Sequence, residues 1–259
     1  MWNDLKDSQE LAWRLFIRDL SAQYRQSLFG VLWAFAPPII TSLIFIVLNS
    51  RNVINFGETD IPYPVFVLIG TLLWQIFTES LNAPLKSVTA AKPLLVKVNF
   101  THEALIISAI YLVLFNTLIK LIIMLGVVIV FKIPLTWGLL LALLPILGLI
   151  FLGICIGLLL TPIGMLYTDV TSSLPIATQL FFFVTPVVYP VPNTMPFSLI
   201  ALINPVSPLL NAARDLIVKG TMSNLIPFLV VSALTFIFSF IAWVIYRLAL
   251  PIIIERISA

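Results

Sequence analysis

Three arginines, Arg14, Arg18 and Arg25, stand on the flank of one apolar stripe near the start of the chain. Guanidinium offers paired N–H donors, so such a cluster is suited to gripping a pyrophosphate headgroup. Attraction to anionic lipid, about 1 kcal/mol per residue near a surface, is the other reading of the same arginines. A second group is aromatic: Trp33, Phe35, Trp74, Phe77, Phe181, Phe182 and Tyr189. Such faces stack against the C–H faces of sugar rings, and they serve equally for packing or for contact with lipid. Third comes Lys120, alone inside a long apolar run. It reads either as a substrate contact facing a cavity, or as the partner of a polar group in the bundle, or as a snorkelling residue.

Other chemistry is missing from the sequence. No G-x-x-x-x-G-K-[ST] run occurs, so the chain has no phosphate-binding loop with which to hydrolyse ATP. Neither a Ser-His arrangement nor a pair of carboxylates is visible. The single histidine, His102, sits beside Glu103 at an expected helix start, where Thr101 suits the N-cap and Glu103 the first turn. One histidine and one cysteine make no metal site, and Cys155 reads as a small packing residue. A net charge of +3 leaves no nucleic-acid footprint.

The elements that must position these groups follow from charge patterning. Between Lys132 and Asp169 lie 36 uncharged residues, and between Asp169 and Arg214 another 44. Hydrophobic residues make up 61% of the 259, charged ones 10%, and mean hydropathy is +1.12. Soluble domains carry about a quarter of their residues charged, whereas each charge at a bilayer centre costs about 2.5–3.5 kcal/mol. The expectation is a single all-α integral membrane domain spanning 1–259. Unbroken runs such as Leu139-Leu140-Leu141 and Phe181-Phe182-Phe183 lack the alternation a transmembrane barrel needs. Asp4, Asp7, Glu10 and Asp19, with no central apolar stretch, argue against a cleavable signal.

Residues 10–28 place Trp13, Phe16, Ile17, Leu20, Tyr24 and Leu28 at helical spacing. That predicts an amphipathic helix lying in the headgroup plane, or else one packed on a partner protein. Six spans are expected, at about 29–49, 62–81, 104–131, 137–166, 172–190 and 225–247. A kink is expected near Gly30 and Pro37-Pro38, and bends at Pro145 and Pro162. Residues 82–103, with Lys86, Lys92, Lys97 and Glu103, form the longest polar interruption. Residues 193–219 hold Pro196, Pro205 and Pro208, and read as a re-entrant segment of short helices that dip in without crossing. With the termini inside, the inner segments hold nine basic residues and the outer ones Arg51, Lys132, Arg214 and Lys219. Positive charge therefore favours cytoplasmic termini, with Trp243 and Tyr246 as interfacial anchors.

The run from Arg18-Asp19-Leu20 through Tyr24-Arg25-x-Ser27-x-x-Gly30-x-x-Trp33 to Pro37 resembles the opening of a known family. This is the permease subunit of ATP-binding-cassette polysaccharide exporters, which move O-antigen, capsule and wall teichoic acid chains. Lys97-Val98-Asn99-Phe100 before Glu103 is similar to its loop between spans two and three. Thr185-Pro186-Val187-x-Tyr189-Pro190, then Asn204-Pro205 and Arg214, resemble its outer gate. The chain departs from the family at Thr101, often proline there, and at Thr168-Asp169, often an Arg-Asp pair. The resemblance implies a homodimer in the bacterial inner membrane with two separate ATPase subunits, which bind the ATP and Mg; this chain would carry no cofactor and no enzyme site. It implies ATPase docking through Lys86, Lys92, Lys97, Asn99, His102 and Glu103, and an outer gate at Pro190, Asn204, Pro205 and Arg214. The cargo would be a lipid-linked polysaccharide, O-antigen foremost, with its pyrophosphate at Arg14, Arg18 and Arg25 and its glycan sliding over the aromatics. The alternatives are a stand-alone secondary carrier or flippase, and a membrane glycosyl or acyl transferase, which should show a polar catalytic cluster.

Overall fold

In lipid every peptide group must find its partner within its own segment, which makes the helix the default for apolar runs of this length. The computed structural model describes residues 2–25, 36–51, 59, 61–95, 103–191, 195 and 197–258, and every regular element among them is a helix. In chain order these are α1 (Trp2–Arg25), α2 (Ala36–Ser50), α3 (Tyr63–Leu95), α4 (Glu103–Val130) and α5 (Gly138–Leu141). They continue with α6 (Leu143–Leu166), α7 (Thr168–Val184), α8 (Phe197–Ile203), α9 (Val206–Val218) and α10 (Leu225–Ser258). Among the described residues four segments are long and apolar enough to cross a bilayer: Tyr63–Lys92, Glu103–Val130, Gly138–Leu166 and Leu225–Ile253. At 15 and 17 residues, α2 and α7 fall short of the roughly 20 that a perpendicular crossing needs.

Several boundaries differ from the sequence expectation, each for a physical reason. The second span does not stop at Leu81. It runs on as one 33-residue helix, about 50 Å long at 1.5 Å per residue, so residues 82–95 are helix and not loop. The last span runs beyond Arg247 through Pro251 to Ser258. The expected fifth span ends at Val184, because Thr185-Pro186 leaves the helical conformation. Pro37 and Pro38 fall in the first turn of α2, where a missing N–H breaks no helical bond. Gly30, and with it the kink expected there, lies outside the described residues, as do residues 26–28 of the interface helix.

α3 is the centre of the bundle, packed on α6 along most of its length and on α4 beside it. Gly153 and Gly157 of α6 make that packing close. A Cβ at Gly153 would meet the Phe77 carbonyl and Ser80, and one at Gly157 the Leu81 carbonyl and Pro84. Small residues four apart let two helices touch backbone to backbone, where dispersion and not water supplies the attraction. The 193–219 segment does form short helices, but α9 is a core element: ten of its thirteen residues are buried, against α6, α3 and α10.

α1 shares its apolar stripe between protein and exterior. Phe16 meets Tyr111 and Phe115 of α4 at 6.0 and 6.3 Å, while Trp13 and Ile17 stay about half exposed. Trp243 is partly exposed beneath the Arg247 guanidinium, 5.5 Å from its ring. Tyr246, expected as a second interfacial anchor, is instead buried in the core.

Candidate functional site

Apolar on the sides that meet α4 and α6, α3 is polar on one face. Thr71, Gln75, Thr78, Glu79, Asn82 and Lys86 recur at three- and four-residue intervals, which collects them on one side of a helix. Polar groups inside a span mark functional surfaces by default, because lipid does not tolerate them. Here they line two neighbouring cavities. One, of about 400 Å³ between α2, α3 and α7, is bordered by Phe45, Trp74, Gln75, Thr178, Gln179 and Phe182. The other, of about 740 Å³ between α1, α3 and α4, is bordered by Asp19, Gln23, Glu79, Lys86 and Asn116. Thr78, Asn82 and Pro175 border both. The Ser42 and Thr71 hydroxyls, 3.1 Å apart, hold α2 against α3 at the upper end.

Of the aromatics expected along a path, the structure brings four together around Trp74, with Phe77 5.4 Å from it, ring centre to ring centre. Trp74 lies 6.0 Å from Phe181 and 5.9 Å from Phe182, ring centre to ring centre, and Phe45 is 5.9 Å from Phe182. Phe77 packs behind Trp74, is 1% exposed and lines neither cavity. Tyr189 lines neither; its hydroxyl donates to the Phe183 carbonyl at 2.9 Å and secures the end of α7. Trp33 and Phe35 lie outside the described residues.

Lys120 has a partner. Its Nζ donates to Glu79 Oε2 at 2.7 Å, with the lysine side chain 3% exposed and the carboxylate 39%. The span therefore carries a charge pair and not a lone charge. Glu79 was not singled out in the sequence, where it falls two residues before the expected end of the second span at Leu81. The three- and four-residue spacing of Gln75, Thr78, Glu79 and Asn82 was the signal that could have exposed it.

The arginines of α1 stand elsewhere. Arg14 pairs with Glu10 at 2.7 Å and Arg18 with Asp19 at 2.7 Å, on the exposed side; neither borders the cavity that Asp19 and Gln23 enter. Arg25 closes α1, its side chain outside the described residues. Lys86 and Lys92 sit on the lower part of α3, and Glu103 opens α4 with its Oε1 3.5 Å from Arg247 Nε. Lys97, Asn99 and His102 lie outside the described residues.

The residues expected at the outer gate converge on the turn that follows α7. Asn204 donates from Nδ2 to Thr185 Oγ1 at 2.8 Å, while its Oδ1 accepts from the Val206 N–H at 2.9 Å. Pro205 then starts α9 as its N-cap. Arg214 donates to the carbonyls of Val187 at 2.6 Å and Pro186 at 3.3 Å, and its guanidinium lies 3.7 Å from the centre of the Phe66 ring. Burial pushes its pKa down to about 9, with Asp215 pulling the other way, so it stays cationic at neutral pH. Tyr63 adds a donor to the Val188 carbonyl at 3.0 Å. Gly70 allows this closeness: a Cβ there would collide with the Val187 carbonyl and the Arg214 guanidinium. Pro190 borders a cavity of about 210 Å³ beside Arg214 and Asp215.

These features define a multi-pass helical membrane protein whose central helix presents a polar, aromatic-edged groove within the bundle. The ABC-2 type transporter model matches residues 10–218, and the chain belongs to that membrane family. It is 27% identical over 227 residues to the O-antigen export system permease protein RfbA of Myxococcus xanthus, covering 84% of each chain. To RfbA of Klebsiella pneumoniae it is 24% identical, over 80% of this chain and 79% of that one. The polysialic acid transport protein KpsM of Escherichia coli is 23% identical, over 90% of this chain and 91% of its own. The relatives are named as transport and permease proteins, which agrees with the expected family.

Proposed function

We propose that this chain is the permease subunit of an ATP-driven exporter that moves lipid-linked polysaccharide, with O-antigen the first candidate, across the bacterial inner membrane. It works as a homodimer with two ATPase subunits that hold ATP and Mg. In this reading α2 and α7 belong to the first and fifth of six spans, both termini are cytoplasmic, and α8–α9 form the re-entrant outer segment. The observation that carries the reading is the groove along α3. Between α2 and α7 its walls are hydroxyls, amides and aromatic faces, the set that exchanges hydrogen bonds with sugar hydroxyls and stacks on sugar rings without trapping a charge. Arg14, Arg18 and Arg25 take the pyrophosphate at the inner surface, and the lower part of α3, with Lys86, Lys92 and the segment to Glu103, receives the push of the ATPase. Since α3 also touches the outer turn through Phe66 and Gly70, one helix reaches from that push to the gate.

Reconstitution tests this directly. The purified chain with its ATPase is placed in vesicles, and ATP hydrolysis is followed as the host's lipid-linked glycan is added. Stimulation by the glycan, and export that stops when the ATPase is omitted, are the expected results. Export by the chain alone would replace the reading with a stand-alone carrier.

A further inference from the structure

The chemistry of the groove changes along its length. Between α2 and α7 its edges are aromatic and hydroxylic. Between α1 and α4 three primary amides, Gln23, Asn82 and Asn116, border the same space as the Glu79 carboxylate. Lys120 reaches Glu79 from behind, itself 3% exposed and not bordering the cavity, and takes Oε2 at 2.7 Å. The carboxylate, 39% exposed, is thus held in place where it borders the cavity. Asn82 donates one N–H to the Thr78 carbonyl at 2.7 Å, which orients the rest of its amide. An anchored carboxylate accepts strongly from hydroxyls, and neighbouring amides supply both donors and acceptors. The volume, about 740 Å³, is that of a small-molecule site. Phosphate is poorly served here: two carboxylates, Asp19 and Glu79, border the space against one cation, Lys86, and Arg14 and Arg18 do not border it.

We infer that the α1–α3–α4 cavity is a sugar-binding subsite that recognises the residue of the glycan nearest the lipid phosphate, with Glu79 as its specificity-determining group and Lys120 positioning it. The inference rests on the proposed function in taking the cargo to be a glycan whose phosphate docks at α1, the helix whose Asp19 and Gln23 also border this cavity. A site built to bond hydroxyls discriminates against a ligand that lacks them, because its own polar groups are then left unpaired.

The test uses the complete permease–ATPase complex in nanodiscs and two probes: undecaprenyl pyrophosphate, and the same lipid carrying one N-acetylglucosamine. The wild type should bind the glycosylated lipid about tenfold tighter or more, the equivalent of one or two net hydrogen bonds. Asn82→Ala and Asn116→Ala should each bring that ratio down severalfold while affinity for the bare lipid holds. Glu79→Gln combined with Lys120→Met removes the carboxylate without stranding a buried cation, and should bring the ratio close to one. Lys120→Met alone frees the carboxylate to move and should lower the ratio by a smaller factor, which a purely structural role for the lysine would not do. A wild-type ratio of one, in a complex whose ATPase the host's own lipid-linked glycan stimulates, overturns the subsite and leaves the exporter standing. So does a ratio that survives every substitution. No stimulation by that glycan overturns both.

Discussion

Of the pair formed by Glu79 and Lys120, the lysine is the group held in the interior and the carboxylate is the one that still sees the cavity. Removing either partner should therefore not cost the same. Glu79→Ala leaves a buried ammonium without its counter-charge. Breaking a fully buried pair costs about 3–5 kcal/mol, and the 39% exposure of the carboxylate lowers the expectation to about 2 kcal/mol. Lys120→Met leaves a carboxylate with access to water and puts an apolar chain in an apolar place, so about 1 kcal/mol or less is expected. Denaturant unfolding in detergent reads both, and equal losses would contradict the asymmetry. Arg214 makes a sharper demand on shape. Lysine keeps the charge but cannot give two carbonyls and an aromatic face what the planar fork gives. Arg214→Lys should loosen the turn at 186–191, seen as faster proteolysis there and a loss of about 2 kcal/mol. Wild-type protection in that variant would show that charge alone suffices.

At the scale of elements, the α3–α6 contact should fail first when its spacing is altered. Gly157→Leu drives a side chain into the Leu81 carbonyl and Pro84, whereas nothing lies within 4 Å of where a Cβ would stand at Gly126 on α4. Gly157→Leu is expected to abolish folded protein by size-exclusion chromatography, and Gly126→Leu to leave it intact. Apolar runs made most of these helices legible from sequence, because long uncharged stretches have few other fates in lipid. Their ends were less legible. A central helix that turns one polar face to a groove looks, in sequence, like a span that has stopped, so the span was expected to end at Leu81 and 82–103 read as a polar interruption. α9 falls in the segment expected to hold short helices, and it is one, but its burial in the core was not anticipated. Its prolines and asparagines suggested a dip, yet Val206, Leu209, Leu210, Ala213, Leu216 and Ile217 carry the spacing of a helix with a core-facing side. The outer turn was legible as a motif. Its three clamps, Tyr63, Asn204 and Arg214, come from α3, the α8–α9 junction and α9, and only tertiary structure joins them.

For the whole molecule, the open question is parity. Four crossing helices place both termini on one side, and so do six; if only one of α2 and α7 crosses, the termini part. Charge weighs toward even parity with the termini inside, nine basic residues against four. The chain offers a clean way to decide, because its only cysteine, Cys155, is 3% exposed within α6 and a maleimide in water has little to react with. Single cysteines at the exposed positions Gln9, Met195, Ser223 and Arg256 sample both ends and the outer face. In intact cells an impermeant maleimide should label Met195→Cys and Ser223→Cys and spare Gln9→Cys and Arg256→Cys, with all four labelled after permeabilisation. Labelling of Gln9→Cys and Arg256→Cys together from outside would invert the protein and place the lower end of α3 beyond reach of a cytoplasmic ATPase. Labelling of only one of the two would make the number of crossings odd. Either pattern would dissolve the mechanical argument, since a single helix joins push to gate only if Lys92 lies inside while Val187 lies outside.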